Sequence, residues 1–406
     1  MLEHFEREYS VNKKYLYWLG AWPYQSKLSS NLITISCWVY ELSYYPLQIL
    51  MLYDYWNDPE LVFEICYQFV SLTGFIVKMF NPIWNREKLK RICILMNDHW
   101  NIFTSKMEVQ TLKDSSNISR KLTVGYTTWI SFLTVFYVIT PLTPVFLDII
   151  DPLNETRPRL FPVTANFRID EEKYYAQLYV YIVSMILIGV SNAITTDCIY
   201  LVSIIHACSL FSTISRQLEE IVTKFSVKKD TRRIECCIQT KLEFENEQMI
   251  YQEYIKCLKK YQLALEFVDI LNSAYEMISL FLLLLYGATA TFIAIQILNI
   301  LDRFEDVLRY MFEVVAMLVQ LIILCYSGQK LRDESQNVFH RAYAAEWYNC
   351  SPRLKSLLII TLYRSSIPCG LTAGNMMPLS IETYGFVVRT ILSYFMTFLS
   401  LKEAIS

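Results

Sequence analysis

LTVGYTTWISFLTVFYVITPLTPVFL, residues Leu122–Leu147, runs for 26 positions without one charged side chain. A helix rises 1.5 Å per residue, so about 20 mostly apolar residues cross the ~30 Å of bilayer hydrocarbon. Tyr174–Thr196 and Met277–Leu301 are equally free of charge, and the shorter windows Val307–Tyr326 and Pro378–Leu401 also qualify. Leu32–Tyr53 and Leu61–Phe80 each contain a carboxylate, Glu41 and Glu64, which a membrane helix tolerates if it faces the bundle interior or an interface. The expectation is an all-α polytopic membrane protein with seven transmembrane helices. Asp197 closes the uncharged run that starts at Tyr174, but apolar residues continue through Ser215, so that helix is expected to extend beyond the bilayer.

Composition agrees. Of 406 residues 54% are hydrophobic and only 19% charged, against roughly 25% charged in soluble domains. Mean hydropathy is +0.27. A net charge of −2 offers no basic surface for nucleic acid. Residues 1–27 interleave Glu3, Glu6, Arg7, Glu8, Lys13, Lys14 and Lys27 with aromatics and hold no signal-peptide core.

Basic residues set the expected orientation. The N-terminal tail, 83–121, 206–273 and 328–366 together carry 28 Lys and Arg, and the segments on the other side carry 6. Leaving out the longest loop, the bias is 18 to 6. The positive-inside rule therefore places the N-terminus in the cytoplasm and the C-terminus outside. No cysteine falls in an external loop, and the sequon Asn154-Glu155-Thr156 lies in one, which makes Asn154 a glycosylation candidate.

The expected organisation is a cytoplasmic tail (1–31), spans 1–4 (32–205), a cytoplasmic helical extension (206–273), spans 5–6 (274–327), cytoplasmic helices (328–377), and the last span with a short external tail (378–406). Loop 206–273 lacks Pro and Gly, and Tyr254, Leu258, Tyr261, Leu265 and Val268 form one helical seam. Leu354, Leu357, Leu358 and Thr361 share a face of a second cytoplasmic helix, which Pro368, Gly370 and Gly374 separate from the last span.

Nothing here reads as an enzyme, and no cofactor or metal is expected. His4, His99, His206 and His340 are scattered, Cys236-Cys237 lacks the partners of a zinc site, and nine glycines form no phosphate loop. The acids Glu41, Glu64, Asp197 and Glu313 read as interfacial or helix-to-helix bonding groups rather than a proton relay. In the last span Thr383, Val387, Thr390, Tyr394, Thr397 and Leu401 share a face on which four of six residues bear hydroxyls. Such a stripe either bonds neighbouring helices or lines a wet path.

From Gly328 onward a family pattern emerges. Glu334-Ser335, Ala342-Tyr343, Trp347-Tyr348, Arg364-Ser365, Pro368, Ala373-Gly374, Leu379-Ser380, Glu382-Thr383-Tyr384 and Ser393-Tyr394-Phe395 resemble the C-terminal third of insect odorant receptors. The chain looks like a divergent ligand-specific subunit, since it lacks the coreceptor's longer second cytoplasmic loop. The resemblance implies a hetero-tetrameric, odorant-gated, non-selective cation channel formed with the odorant coreceptor. It would be a multi-pass protein of the plasma membrane, in the dendrites of olfactory sensory neurons, and its partners would be lipid, permeating cations and a small volatile organic ligand. It also implies that the last helix lines the pore, with Thr390, Tyr394, Thr397 and Leu401 at the pore and gate. A gustatory-type channel is the alternative, but this chain has Ser400-Leu401 where that branch carries Gln-Phe. A G-protein-coupled receptor would need a DRY-like motif after span 3 and NPxxY in span 7, which are missing; Asn81-Pro82 ends span 2. The ligand site is expected in the outer bundle among spans 2, 3, 4 and 6, with Phe69, Thr73, Phe136, Tyr137, Thr140, Tyr181, Met185, Phe312 and Val315 as candidates.

Overall fold

The computed structural model describes residues 2–150, 157, 159–232, 240–299, 304–345 and 347–405. Asn154 and the Cys236-Cys237 pair lie outside the described residues, and of Leu401 only the helical backbone is described.

The described chain is almost wholly helical. Two short helices, α1 (Glu3–Glu8) and α2 (Ser10–Trp18), precede a first passage made of α3 (Lys27–Leu42) and α4 (Tyr44–Asp54). The second passage is α5 (Pro59–Trp84), followed by α6 (Arg86–Ile102). Then come α7 (Lys106–Ile139), a 3₁₀ turn and α8 (Thr143–Ile150), and the long helices α9 (Tyr175–Arg232), α10 (Thr240–Asn299) and α11 (Phe304–Ala344). Helix α12 (Pro352–Ser365), a hairpin of β1 (Thr372–Ala373) and β2 (Met377–Pro378), and α13 (Ile381–Ile405) complete the fold.

Among the described residues five helical segments are long and apolar enough to cross a membrane by themselves: Pro59–Trp84, Lys106–Ile150, Tyr175–Thr223, Glu247–Leu298 and Tyr310–Ala344. The other two passages read from the sequence are less uniform. The first breaks at Ser43, so neither of its pieces reaches full length. In α13 the hydroxyls and Arg389 dilute the apolar run.

Helix starts follow local chemistry. Asp58 caps α5 by accepting the backbone N–H groups of Glu60 and Leu61, with Pro59 in the first turn where its missing N–H costs nothing. Ser105 and Glu108 form a reciprocal capping box at α7, which satisfies two otherwise unpaired donors. Glu108 is fully buried and also accepts from Gln217 and the Lys260 ammonium, which fastens α7 to α9 and α10.

The largest core sits at the end of the bundle that holds the N-terminal helices. Phe5, Tyr9, Phe103, Phe211 and Phe267 converge there. Tyr9 Oη lies 3.1 Å from His206 Nδ1, and His206 Nε2 lies 3.0 Å from His99 Nδ1. Burial holds the His99 imidazole down to about 4, so it packs uncharged at neutral pH. The seam 254–268 is used inside this chain: Tyr254, Tyr261 and Val268 are buried, with Leu258 and Leu265 packed alongside. Leu354, Leu358 and Thr361 of α12 are buried too.

Tyr254 Oη and Thr361 Oγ1 lie 2.7 Å apart, and the Thr361 hydroxyl already donates to Leu357 O, so Tyr254 is the donor. Tyr254→Phe is expected to cost about 1 kcal/mol and to lower the thermal midpoint of the purified protein by roughly 1–3 °C. Thr361→Val should cost a similar amount and add little to the first change, because both remove one bond.

Candidate ligand cavity

In membrane helices buried on most sides every face is apolar, so the sites of interest are marked by enclosed space and by polar groups facing it. A cavity of about 200 Å³ lies among α5, α7, α9 and α11. Tyr67, Phe75, Tyr126, Tyr137 and Phe312 give it an aromatic wall, and Leu72, Ile130, Leu133, Met185 and Ile186 fill between them. The segment before α9 covers it, with Val163 at the wall. That segment is held by Tyr137 Oη donating to Pro162 O (2.8 Å), and by Gln48 Nε2 and Tyr44 Oη donating to Thr164 O (2.7 and 3.0 Å).

Most polar groups on the wall already have protein partners. Gln68 Nε2 donates to Thr164 Oγ1 at 3.0 Å and its Oε1 accepts from Gln48. Thr134 donates to Ile130 O. Ser71 and Tyr67 are different, because neither hydroxyl makes a hydrogen bond to the described residues. An apolar chamber with two uncommitted hydroxyls accepts a small, mostly apolar molecule and orients it through one polar group.

A second cavity of about 170 Å³ lies alongside, bounded by α10, and shares Tyr67, Ser71, Phe75, Glu313, Ala316 and Gln320 with the first. Below both runs a buried polar network. Lys78 Nζ donates to Asp197 Oδ2 at 2.7 Å and to Gln320 Oε1 at 3.3 Å. Tyr126 Oη donates to the same Asp197 oxygen at 2.6 Å, and Tyr286 Oη donates to Gln320 Oε1 at 2.9 Å. Five helices therefore meet at one ion pair, and three of its members, Lys78, Tyr286 and Gln320, line the second cavity.

Of the nine residues proposed from the sequence, Tyr137, Met185 and Phe312 line the first cavity. Phe136 stands behind it, its ring 4.4 Å from that of Phe312, and Thr140 bonds back to Phe136 O. Thr73 pairs with Tyr45 and Tyr181 with Ser43, both on the first passage. Phe69 and Val315 face outward, 37% and 39% exposed. Sequence reading missed Tyr67, Gln68, Ser71, Phe75 and Tyr126. The signal present for Gln68 and Ser71 was a polar residue inside an apolar span.

Of the acids singled out, Asp197 joins the ion pair, Glu64 accepts from Gln68 Nε2, Glu313 lines both cavities and Glu41 is buried against α9. In α13 the stripe is divided. Thr383 is buried and donates to Pro378 O, while Thr390 and Thr397 donate to the carbonyls of Phe386 and Ser393 on their own helix. Tyr394 is half exposed, and Arg389 Nε donates to Gly385 O rather than pairing with Glu382. Among the described residues, Thr390, Tyr394 and Thr397 make no hydrogen bond to a neighbouring helix.

The 7tm Odorant receptor family profile matches residues 58–392. Odorant receptor 63a of Drosophila melanogaster is 23% identical over 252 residues, 61% of this chain and 54% of that protein. Odorant receptor 2a of the same fly is 25% identical over 155 residues, 38% of this chain and 39% of the relative. The matched region thus spans about half the length of these relatives or less. Among solved structures, the insect olfactory receptor OR5 from Machilis hrabei in complex with eugenol superposes with a TM-score of 0.77 at 13% identity, covering 98% of this chain and 99% of that one. This likeness shows a shared fold.

Proposed function

Given that the chain belongs to the 7tm odorant receptor family, we propose that it is the ligand-binding subunit of an odorant-gated, non-selective cation channel completed by the odorant coreceptor. The observation that carries this reading is the aromatic-walled cavity among α5, α7, α9 and α11, with Ser71 uncommitted inside it. Its volume and apolar lining suit a volatile organic molecule with one hydroxyl or carbonyl group. The N-terminus is inside and the C-terminus outside, as the distribution of Lys and Arg favours. The last helix lines the pore: Thr390 and Thr397 bond only their own backbone, which leaves their face available to a wet path. Thr397 and Leu401 stand at the gate. Ligand acts through its differential affinity for the open state.

The test is co-expression with the coreceptor and a screen of volatiles for inward current. For any volatile that activates the pair, Phe312→Ala and Met185→Ala are expected to raise the half-maximal concentration roughly 10–100-fold, the worth of one lost apolar contact of about 1.5–3 kcal/mol. Ser71→Ala should raise it roughly 3–10-fold for alcohols and carbonyl compounds and leave hydrocarbons unaffected. Currents unchanged by all three substitutions would move the ligand site elsewhere.

A further inference from the structure

A third cavity, of about 160 Å³, shares no lining residue with the other two. Its walls are the turn after α2, one face of α3, the last turns of α5 and the start of α6, with Asn192 contributed by α9. Among the described residues no Asp or Glu lines it. Arg86 does, and among the described residues its guanidinium has neither an ion pair nor a hydrogen bond. Trp38 lines it as well, and the buried indole N–H finds no acceptor. Asn31 adds a further polar side chain to the wall. Two donors without acceptors, one of them cationic, in a pocket without acids call for an anion.

The surroundings say where that anion comes from. Leu28, Leu32, Ile35 and Val39 form an exposed stripe on α3, each 60% exposed or more, and Phe80, Ile83 and Trp84 are exposed on α5. On a membrane protein this is surface for acyl chains. Trp38 packs edge-on against Phe80, which stacks on Trp84, and Arg86 follows two residues later, where the apolar run of α5 ends. Aromatic rings beside a basic residue at the end of a span mark the level of lipid head groups.

We propose that this cavity seats the phosphodiester of a membrane phospholipid on Arg86 and Trp38, with the acyl chains lying along α3 and α5. The lipid belongs to the leaflet on the N-terminal side of the bundle, and it staples α3 to α5. The site is separate from the ligand chamber and does not depend on the channel reading.

The test is native mass spectrometry of the full chain released from detergent, with three probes supplied in turn: phosphatidylglycerol, a diacylglycerol of the same acyl chains, and inorganic phosphate. Wild type should retain one phosphatidylglycerol through delipidation and should not retain the diacylglycerol. Arg86→Gln should lower that occupancy about tenfold, Arg86→Lys should lower it less, and Trp38→Phe should lower it about threefold. Thermal melting without lipid establishes which variants fold; should Arg86→Gln fail, Arg86→Lys and Trp38→Phe carry the comparison. Equal retention of diacylglycerol, or occupancy unaffected by the folded variants, would overturn the proposal. Displacement of the lipid by millimolar phosphate would reassign the cavity to a free anion and overturn it as well.

Discussion

Lys78→Met is expected to abolish most folded receptor at the cell surface, and Asp197→Leu to do nearly the same, whereas the two together should restore much of it. The reason lies in where the pair sits. The Lys78 side chain is 3% exposed and that of Asp197 16%, at the meeting point of α5, α7, α9, α10 and α11. Either change alone leaves one charge facing apolar helices without its partner, which costs about 3–5 kcal/mol. Removing both charges removes the desolvation penalty along with the attraction, and such replacements are commonly near neutral. Tyr126 then keeps an unpaired hydroxyl worth roughly 1–2 kcal/mol, so Tyr126→Phe added to the pair should recover more. Surface biotinylation and the melting midpoint of purified protein measure this. A double variant no better than the worse single one would show that the pair is not coupled. In the rescued protein the ligand response should be weakened, because Tyr126 lines the first cavity and Gln320 both, while Tyr286 carries the network onto α10, which packs against α13.

Much of this architecture was legible because a membrane helix needs its own length in apolar residues, and such runs are rare by chance. The seam 254–268 was legible for a related reason: outside the bilayer one face is apolar and the other is not. Inside the bilayer that contrast vanishes. Phe69 and Val315 turn outward, while Tyr67 and Phe75 turn inward on the face that Gln68, Ser71 and Lys78 share, so only those polar residues mark which side of the span is which. Lys78 drew no notice because it lies near the end of its window, and its partner is 119 positions away. The break at Ser43 is announced by Pro46, which has no N–H to give the carbonyl of Leu42 and whose ring crowds it, but a proline inside an otherwise apolar window did not interrupt the reading of one passage. Pro368, Gly370 and Gly374 did announce an interruption, but not that the chain would form a hairpin there.

That hairpin carries the second large effect. Gly328→Ala is expected to destabilise the protein by about 1–3 kcal/mol or more and to cut the current per surface receptor, because it pushes α11 away from the entry to α13. A Cβ at Gly328 would lie 2.5 Å from the carbonyl oxygen of Leu379 and 2.7 Å from its Cβ. The oxygen belongs to backbone that is already committed, since Leu379 N–H donates to Leu371 O at 2.9 Å across the hairpin. Shortening the side chain by Leu379→Ala therefore cannot relieve the clash, and the double variant should be no better than Gly328→Ala. Gly374 makes the opposite case. Its φ of +58° costs an L residue roughly 1–2 kcal/mol, and its Cβ would meet Leu280 Cδ2 at 2.5 Å, the movable end of a side chain. Gly374 N–H also donates to Glu276 O, which ties the turn to α10. Combining Gly374→Ala with Leu280→Ala should thus cost less than the sum of the two changes, leaving the backbone strain as the remainder. Measured by thermal melting, equal rescue of both glycine variants, or a Gly328→Ala protein as stable as wild type, would mean that α11 does not seat α13 through this contact.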